Sequence, residues 1–171
     1  GGMVTHLMDS FRKYSGEICA HVCYHEQAAA FAACGYAQAS GNAGMAYATS
    51  EPGALNLING ICNAWFDSIP VIFITGQVNT NESSQGFSVR QRGFQETDIV
   101  SIVKPVTKYA VYVDVPEKLP EYLDTAFTLA VTGRKGPVLL DVPMNVMRSD
   151  IQDFIPSSCA EKFDTITEGF N

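Results

Sequence analysis

The sequence has few basic residues, and they are scattered along the chain. Lys and Arg number 11 against 18 Asp and Glu, which gives a formal net charge of −7. Proteins that bind nucleic acid contact its phosphates with clustered Lys and Arg. The basic residues occur at most in pairs along the sequence, such as Arg90 with Arg92. The composition therefore argues against a nucleic-acid partner.

Long apolar runs are also missing. The chain contains no run of 18 apolar residues and no secretory hydrophobic segment. A membrane-spanning helix needs about 20 such residues, and a signal peptide needs its own shorter apolar core. We therefore expect no membrane contact and a cytoplasmic location.

Cysteine is sparse and shows no pairing pattern. There are five cysteines and no Cys-x-x-Cys. Those in apolar or Ala-rich surroundings should pack as small hydrophobes in a reducing compartment; they are Cys19, Cys23, Cys34 and Cys62. Cys19 and Cys23 alternate with His21 and His25. Side chains on one face of an extended strand do not converge, so we predict no metal site.

Glycine-rich phosphate loops are absent as well. The sequence has neither Gly-x-x-x-x-Gly-Lys-Ser/Thr nor Gly-x-Gly-x-x-Gly, the two loops that cradle nucleotide phosphates. A free-standing flavodoxin-like nucleotide binder is therefore disfavoured.

The apolar residues that are present predict an α/β fold. The 171 residues are 46% hydrophobic, enough for one domain with a real core. Apolar runs predict strands at 18–23, 44–48, 70–75, 106–113 and 136–143, and periodic patterns predict helices at 3–14, 27–39, 54–66, 95–103 and 116–131. Strands alternating with helices predict a mostly parallel, doubly wound sheet in three α/β/α layers. We expect the domain to span 1–148, with a polar loop at 79–92, polar aperiodic sequence from 145 onward and a tail or linker at 149–171.

Polar residues follow three of these strands. They are Glu26, the turn at 49–56, and Thr75-Gly76-Gln77. The carboxyl ends of neighbouring parallel strands meet at one rim, where ligands bind. Two simpler interpretations of these residues are also open. Glu26 alone could merely favour the first turn of its helix through the macrodipole, and Pro52-Gly53 could be ordinary turn punctuation.

Blocks along most of residues 1–148 carry a resemblance to a known family. They are His25-Glu26-Gln27-Ala28-Ala29, Gly35-Tyr36-Ala37, Ala48-Thr49-Ser50, Pro52-Gly53-Ala54, Asn56-Leu57, Gly60-Ile61, Asn63-Ala64, Asp67-Ser68-Ile69-Pro70, Ile74-Thr75-Gly76-Gln77-Val78, Phe94-Gln95-Glu96-Thr97-Asp98 and Gly136-Pro137-Val138. In order and spacing the chain resembles the pyrimidine-binding domain of thiamine-diphosphate-dependent enzymes. It is most similar to the acetolactate synthase (acetohydroxyacid synthase) group. The resemblance implies the thiamine-diphosphate-binding fold.

The resemblance also implies roles for individual residues. Glu26 would hydrogen-bond a ring nitrogen of the cofactor's aminopyrimidine and so promote formation of the thiazolium ylide, which decarboxylates 2-oxoacids and joins the product to an acceptor. Such a carboxyl should have a raised pKa in a water-poor rim. The residues expected close to the pyrimidine are Thr49, Pro52, Gly53 and Asn56. Gln95 would be a catalytic-site glutamine and Phe94 an apolar wall of the substrate pocket. The plainer alternative makes Phe94 a core residue and Gln95 a helix start.

Four departures from the family pattern bear on these roles. Glu51 stands where the family has Gly in Ser-Gly-Pro-Gly, and it would either crowd the ring and perturb Glu26 or point to solvent. Cys34 replaces a frequent acidic residue and should pack in the core. Met144 occupies the place of the lysine in Pro-Lys-Asp, which suggests a divergent branch. The loop at 79–92 is longer than in typical members.

One family motif is missing altogether. The sequence has no Gly-Asp-Gly followed by Asn-Asn, the family's magnesium–diphosphate motif. We therefore expect Mg²⁺ and the diphosphate to be held by a separate pyrophosphate-binding domain of the same or a partner subunit, in a homodimer or higher homo-oligomer. FAD is a further cofactor that the likeness allows.

The same comparison bears on the completeness of the chain. Gly1-Gly2 resemble a loop that follows the family's first strand, so we interpret the chain as a fragment with an incomplete active site. A non-catalytic assembly module with the same fold is the alternative, and the particular 2-oxoacid is left open.

Overall fold

The computed structural model describes residues 1–151. The predicted tail or linker at 149–171 lies almost entirely outside these residues, as does Cys159. None of the helices within residues 1–151 is long and apolar enough to cross a membrane.

Four parallel strands form the central sheet. They are β1 (Gly44–Ala48), β2 (Val71–Gln77), β3 (Tyr109–Tyr112) and β4 (Val138–Pro143), in the order β1-β2-β4-β3. The helices are α1 (Thr5–Lys13), α2 (Glu26–Ser40), α3 (Gly53–Phe66), α4 (Ile99–Val103), α5 (Leu119–Val131) and α6 (Met144–Met147). The predicted parallel α/β architecture is confirmed. The two central strands, β2 and β4, are buried along their whole length.

Helices cover both faces of the sheet. On one face, Phe73 and Leu139 lie in a buried cluster with α2, α3 and α4. On the other face, Ile72 and Leu140 belong to a second cluster with α5 and Val146. Successive strand residues alternate between the clusters because side chains of a strand point to opposite faces. The predicted three-layer order is therefore confirmed.

The predicted strand at 18–23 is wrong. These residues have no regular secondary structure, and Ile18 and Val22 are 49% and 87% exposed. An apolar run forms a strand only where a neighbouring strand offers backbone partners. Within residues 1–151 no strand pairs with this run. Glu26 thus follows an irregular segment rather than a strand.

The chain after β4 is also more ordered than predicted. We expected polar, aperiodic sequence from residue 145, but Met144–Met147 forms α6. Val146 is 1% exposed in the cluster beneath α5. Asn145 accepts a hydrogen bond from the Thr80 N–H (2.9 Å) and donates one to Thr80 Oγ1 (3.1 Å). This pair fastens the start of the segment after β2 to the end of the sheet.

Candidate functional site

Glu26 begins α2 and faces the start of α3. The preceding residue, His25, caps the helix, since its Nδ1 accepts a hydrogen bond from the Gln27 N–H at 3.1 Å. Asn56, in the first turn of α3, donates from Nδ2 to Glu26 Oε2 at 3.0 Å. The contact joins residues 30 positions apart and brings two helix N-termini together. The carboxylate therefore has one fixed oxygen.

The turn between β1 and α3 forms the wall beside this carboxylate. A Cβ on Gly53 would lie 2.9 Å from Thr49 Cγ2 and 3.2 Å from Glu26 Oε1. Only glycine leaves this space open. Pro52 is exposed, precedes the helix as its N-cap and follows a cis peptide bond. The structure thus brings Glu26, Thr49, Gly53 and Asn56 into one constellation with Pro52 at its edge.

The electrostatics of Glu26 differ from expectation. The hydrogen bond from Asn56 lowers the pKa of Glu26, and this effect outweighs the opposing effect of burial. We expected a raised pKa, and for this domain that expectation is wrong. A carboxylate that accepts a hydrogen bond in its charged form is stabilised in that form. Glu26 is therefore ionised at neutral pH.

Gln95 lies at the same rim in an unusual backbone conformation. Its φ is +59°, a left-handed value that is uncommon outside glycine. Its carbonyl accepts hydrogen bonds from Ser50 Oγ at 2.7 Å and from the Glu51 N–H at 3.2 Å. Gln95 is not the start of a helix, because α4 begins only at Ile99.

Phe94, the neighbour of Gln95, is 80% exposed. It is therefore not a core residue, and the plainer interpretation of this residue is wrong. In this domain it projects from the rim; its role as a pocket wall stays a prediction.

The side chain of Glu51 turns toward the segment after β2. Its Oε2 lies 3.3 Å from Gln91 Nε2 and 3.5 Å from Thr97 Oγ1. Glu51 is half-buried and is not among the main causes of the lowered pKa of Glu26. Its contact with residues 91–97 replaces the predicted alternative of pointing to solvent, and crowding of the ring stays a prediction.

Glu96 organises the long polar segment, a role that sequence reasoning missed. One of its oxygens accepts from Ser83 Oγ, the Ser84 N–H and Ser84 Oγ, and the other accepts from the N–H groups of Arg92 and Gly93. Burial raises the pKa of Glu96, but these hydrogen bonds outweigh it and lower the pKa to about 2. The carboxylate closes residues 83–96 into a loop that presents Phe94 and Gln95.

A second polar network below this loop was also missed. Asp141 of β4 is 2% exposed and accepts from Thr75 Oγ1 (2.7 Å) and Gln77 Nε2 (2.9 Å). Gln77 Nε2 also donates to the Thr97 carbonyl at 2.8 Å. The network therefore links the sheet to the loop. The signal in the sequence was a single carboxylate within an otherwise apolar strand.

The burial of Asp141 predicts a pH-dependent stability. Burial raises its pKa from 3.8 to about 7 despite the two hydrogen bonds. A raised folded-state pKa means that stability is fully present below pH 3.8 and is lost as pH rises through 7. We expect Asp141→Asn to make the protein more stable than wild type at pH 8, because the amide keeps an acceptor for Gln77 and offers a donor to Thr75. Chemical denaturation at pH 5 and pH 8 measures this; an equal stability difference at both pH values would contradict it.

Comparison with known proteins places this chain in a family. The model of the thiamine pyrophosphate enzyme N-terminal TPP binding domain matches residues 1–102. The chain belongs to this family. Acetolactate synthase from Arthrospira platensis is 44% identical over 142 residues, covering 83% of this chain and 23% of the relative. The acetolactate synthase large subunit from Corynebacterium glutamicum is 44% identical over 156 residues, covering 91% of this chain and 24% of the relative.

A third relative is matched over similar shares of both chains. The probable acetolactate synthase large subunit from Methanocaldococcus jannaschii is 42% identical over 151 residues, covering 88% of this chain and 24% of the relative. The chain therefore spans about a quarter of the length of these curated relatives. As a member of the thiamine pyrophosphate enzyme family, it matches the N-terminal TPP binding domain over residues 1–102.

Proposed function

We propose that this chain is the pyrimidine-binding domain of a thiamine-diphosphate-dependent, acetolactate-synthase-like enzyme that decarboxylates and ligates 2-oxoacids. The observation that carries the proposal is the contact of the Glu26 carboxylate with Asn56 beside the open space at Gly53. The names of the relatives, all acetolactate synthases, favour an enzyme over a non-catalytic assembly module. Glu51 gives the module no support, since its side chain turns to residues 91–97.

The residues at the rim suit a planar, weakly basic ring. A flat ring can approach backbone only where no Cβ intervenes, and a Cβ on Gly53 would meet Thr49 and Glu26. Because Oε2 is committed to Asn56, Oε1 is the oxygen that faces Gly53. The chain thus offers a carboxyl oxygen beside a glycine surface, where a proton shared with the ring nitrogen would hold an aminopyrimidine.

In this proposal, the chain's own residues bind the ring and hold a proton. Thr49, Pro52 and Gly53 form the surface under the ring, and Asn56 fixes the orientation of the Glu26 carboxylate. A bound ring would exclude water from Glu26 and so raise the pKa of its carboxyl, which would then hold the proton that it shares with the weakly basic ring nitrogen. Thiamine diphosphate, when bound, supplies the electron sink for decarboxylation. Gln95 and Phe94 would meet the substrate.

The rest of the active site is proposed to come from another domain. Mg²⁺ and the diphosphate would bind a pyrophosphate domain of the same or a partner subunit, and FAD is a further cofactor that the family likeness allows. The exposed side of α2, next to Glu26, supports a partner surface: no charged residue occurs between Gln27 and Tyr47, and Phe31 and Tyr36 are 40% and 55% exposed. Sedimentation of the full-length protein tests the homo-oligomer, and a monomer at micromolar concentration would contradict it.

Reconstitution of the full-length protein tests the function. We expect binding of thiamine diphosphate by calorimetry in the presence of Mg²⁺, and carbon dioxide release from pyruvate. Absence of binding at millimolar cofactor would instead support the assembly module. Binding without turnover of pyruvate would call for a panel of other 2-oxoacids, and no turnover across that panel would contradict the proposed reaction.

Gly53→Ala probes the space beside Glu26. The new methyl would lie 2.9 Å from Thr49 Cγ2 and 3.2 Å from Glu26 Oε1. It would occupy the space that the proposal gives to the ring. Thr49 Cγ2 must move to make room for this methyl, which should lower the free energy of unfolding by about 1–3 kcal/mol. We also expect the cofactor affinity of the folded protein to fall at least about tenfold, or roughly 1.4 kcal/mol. Calorimetry with denaturation separates the two effects, and unchanged affinity would contradict the proposed ring position.

A further inference from the structure

The conformation of Gln95 has to be held by its surroundings. A non-glycine residue at φ +59° is disfavoured because its Cβ approaches its own carbonyl oxygen, and such residues persist only where contacts over-determine them. Strained residues of this kind cluster at functional sites. Gln95 is half-buried, and within residues 1–151 no hydrogen bond engages its side-chain amide. The backbone carbonyl of Gln95 is therefore hydrogen-bonded, whereas its side-chain amide is available to a ligand.

The contacts that hold Gln95 come from the cofactor turn. Ser50 is 2% exposed and donates its hydroxyl to the Gln95 carbonyl at 2.7 Å. The Glu51 N–H donates to the same oxygen at 3.2 Å. Both donors belong to the short link between β1 and α3 that also carries Thr49 and Gly53. One turn therefore contacts the proposed cofactor site on one side and the Gln95 backbone on the other.

We propose that Ser50 is the positioning residue for Gln95: its buried hydroxyl, with the Glu51 N–H, clamps the Gln95 carbonyl and aims the Gln95 amide at the reacting end of the bound cofactor. This inference rests on the proposed function, which identifies the bound cofactor as the group that the Gln95 amide faces. The clamp itself rests on the hydrogen bonds and the backbone conformation. Two of the supporting contacts run from the Glu51 side chain to Gln91 and Thr97, on either side of Gln95.

Hydrogen exchange in the full-length protein tests the clamp without reference to activity. Ser50→Ala removes the shorter hydrogen bond, so amides in residues 91–98 should exchange about tenfold faster, the effect of losing one such bond. Exchange in α5 should not change. Ser40→Ala is the matched control, since Ser40 Oγ donates to the Tyr36 carbonyl at the same 2.7 Å far from the loop. Unchanged exchange at 91–98 in Ser50→Ala would overturn the clamp. If Ser50→Ala does not fold, Ser50→Cys keeps the shape with a weaker donor and should give a smaller acceleration.

A double-mutant cycle tests the positioning role. Ser50→Ala should lower kcat/KM for the 2-oxoacid about tenfold and leave thiamine diphosphate affinity within about twofold. Because Ser50 acts through Gln95, the double variant with Gln95→Ala should be no slower than Gln95→Ala alone. The positioning role would be overturned if the kcat/KM losses of the two single variants multiplied in the double variant. A tenfold loss of thiamine diphosphate affinity in Ser50→Ala would overturn it as well. Faster exchange in a protein that binds no thiamine diphosphate would instead refute the proposed function and leave the clamp standing.

Discussion

Glu26→Gln should lower the cofactor-dependent turnover of the full-length enzyme by about 10²- to 10⁴-fold, the usual contribution of a positioned acid–base group. Glutamine keeps the size of the side chain and can still meet Asn56 through its carbonyl oxygen. It cannot take or return a proton. Measured with saturating thiamine diphosphate, the loss should appear in kcat, because the amide still hydrogen-bonds a ring nitrogen.

A second first-turn glutamate provides the control for Glu26. Glu121 lies in the first turn of α5, so Glu121→Gln removes the same charge from the same kind of position. If Glu26 served only its helix macrodipole, both substitutions would cost about 0.3–1 kcal/mol of stability and neither would change turnover. Wild-type turnover in Glu26→Gln would therefore refute the proton-transfer role. A large loss in both variants would point to damage elsewhere.

The fold was predictable wherever local sequence and tertiary environment agree. β1 was predicted at 44–48 and occurs at Gly44–Ala48, since Gly41 ends α2 with φ +77° and a turn follows. The failure at 18–23 has the opposite cause, because pairing partners are not encoded in the run itself. The predicted helix at 95–103 began too early. Asp98 is the N-cap of α4 and accepts from the Ser101 N–H. The prediction followed the apolar periodicity and did not use this N-cap residue.

The site was predictable as a set of residues and not as a set of contacts. Reasoning from strand ends singled out Glu26 and the turn at 49–56, and the structure places them together although no strand precedes Glu26. The pKa of Glu26 was predicted in the wrong direction because its partner, Asn56, is 30 residues away. The clamp on Gln95 joins positions 45 residues apart. Neither contact leaves a periodic trace, so only the folded chain reveals them.

Glu96→Gln should destabilise the protein by about 3 kcal/mol at pH 7, the free energy that corresponds to lowering a carboxyl pKa from 4.5 to about 2. Every orientation of the amide sets its NH₂ group against at least one backbone N–H, either that of Ser84 or those of Arg92 and Gly93. A buried donor without an acceptor costs about 1–3 kcal/mol. Because the loop carries Gln95, turnover should fall as well. Urea denaturation of the full-length protein gives the stability.

The pH dependence identifies the carboxylate as the cause. A lowered folded-state pKa gives stability that is present above pH 4.5 and is lost as pH falls through about 2. The gap between wild type and Glu96→Gln should therefore shrink as pH falls from 4.5 toward 3. Glu82 is the matched control, since it accepts from the Asn79 N–H and side chain but is exposed. Glu82→Gln should cost under about 1 kcal/mol. Equal costs for the two substitutions, or a gap independent of pH, would show that burial of the Glu96 charge does not hold the loop.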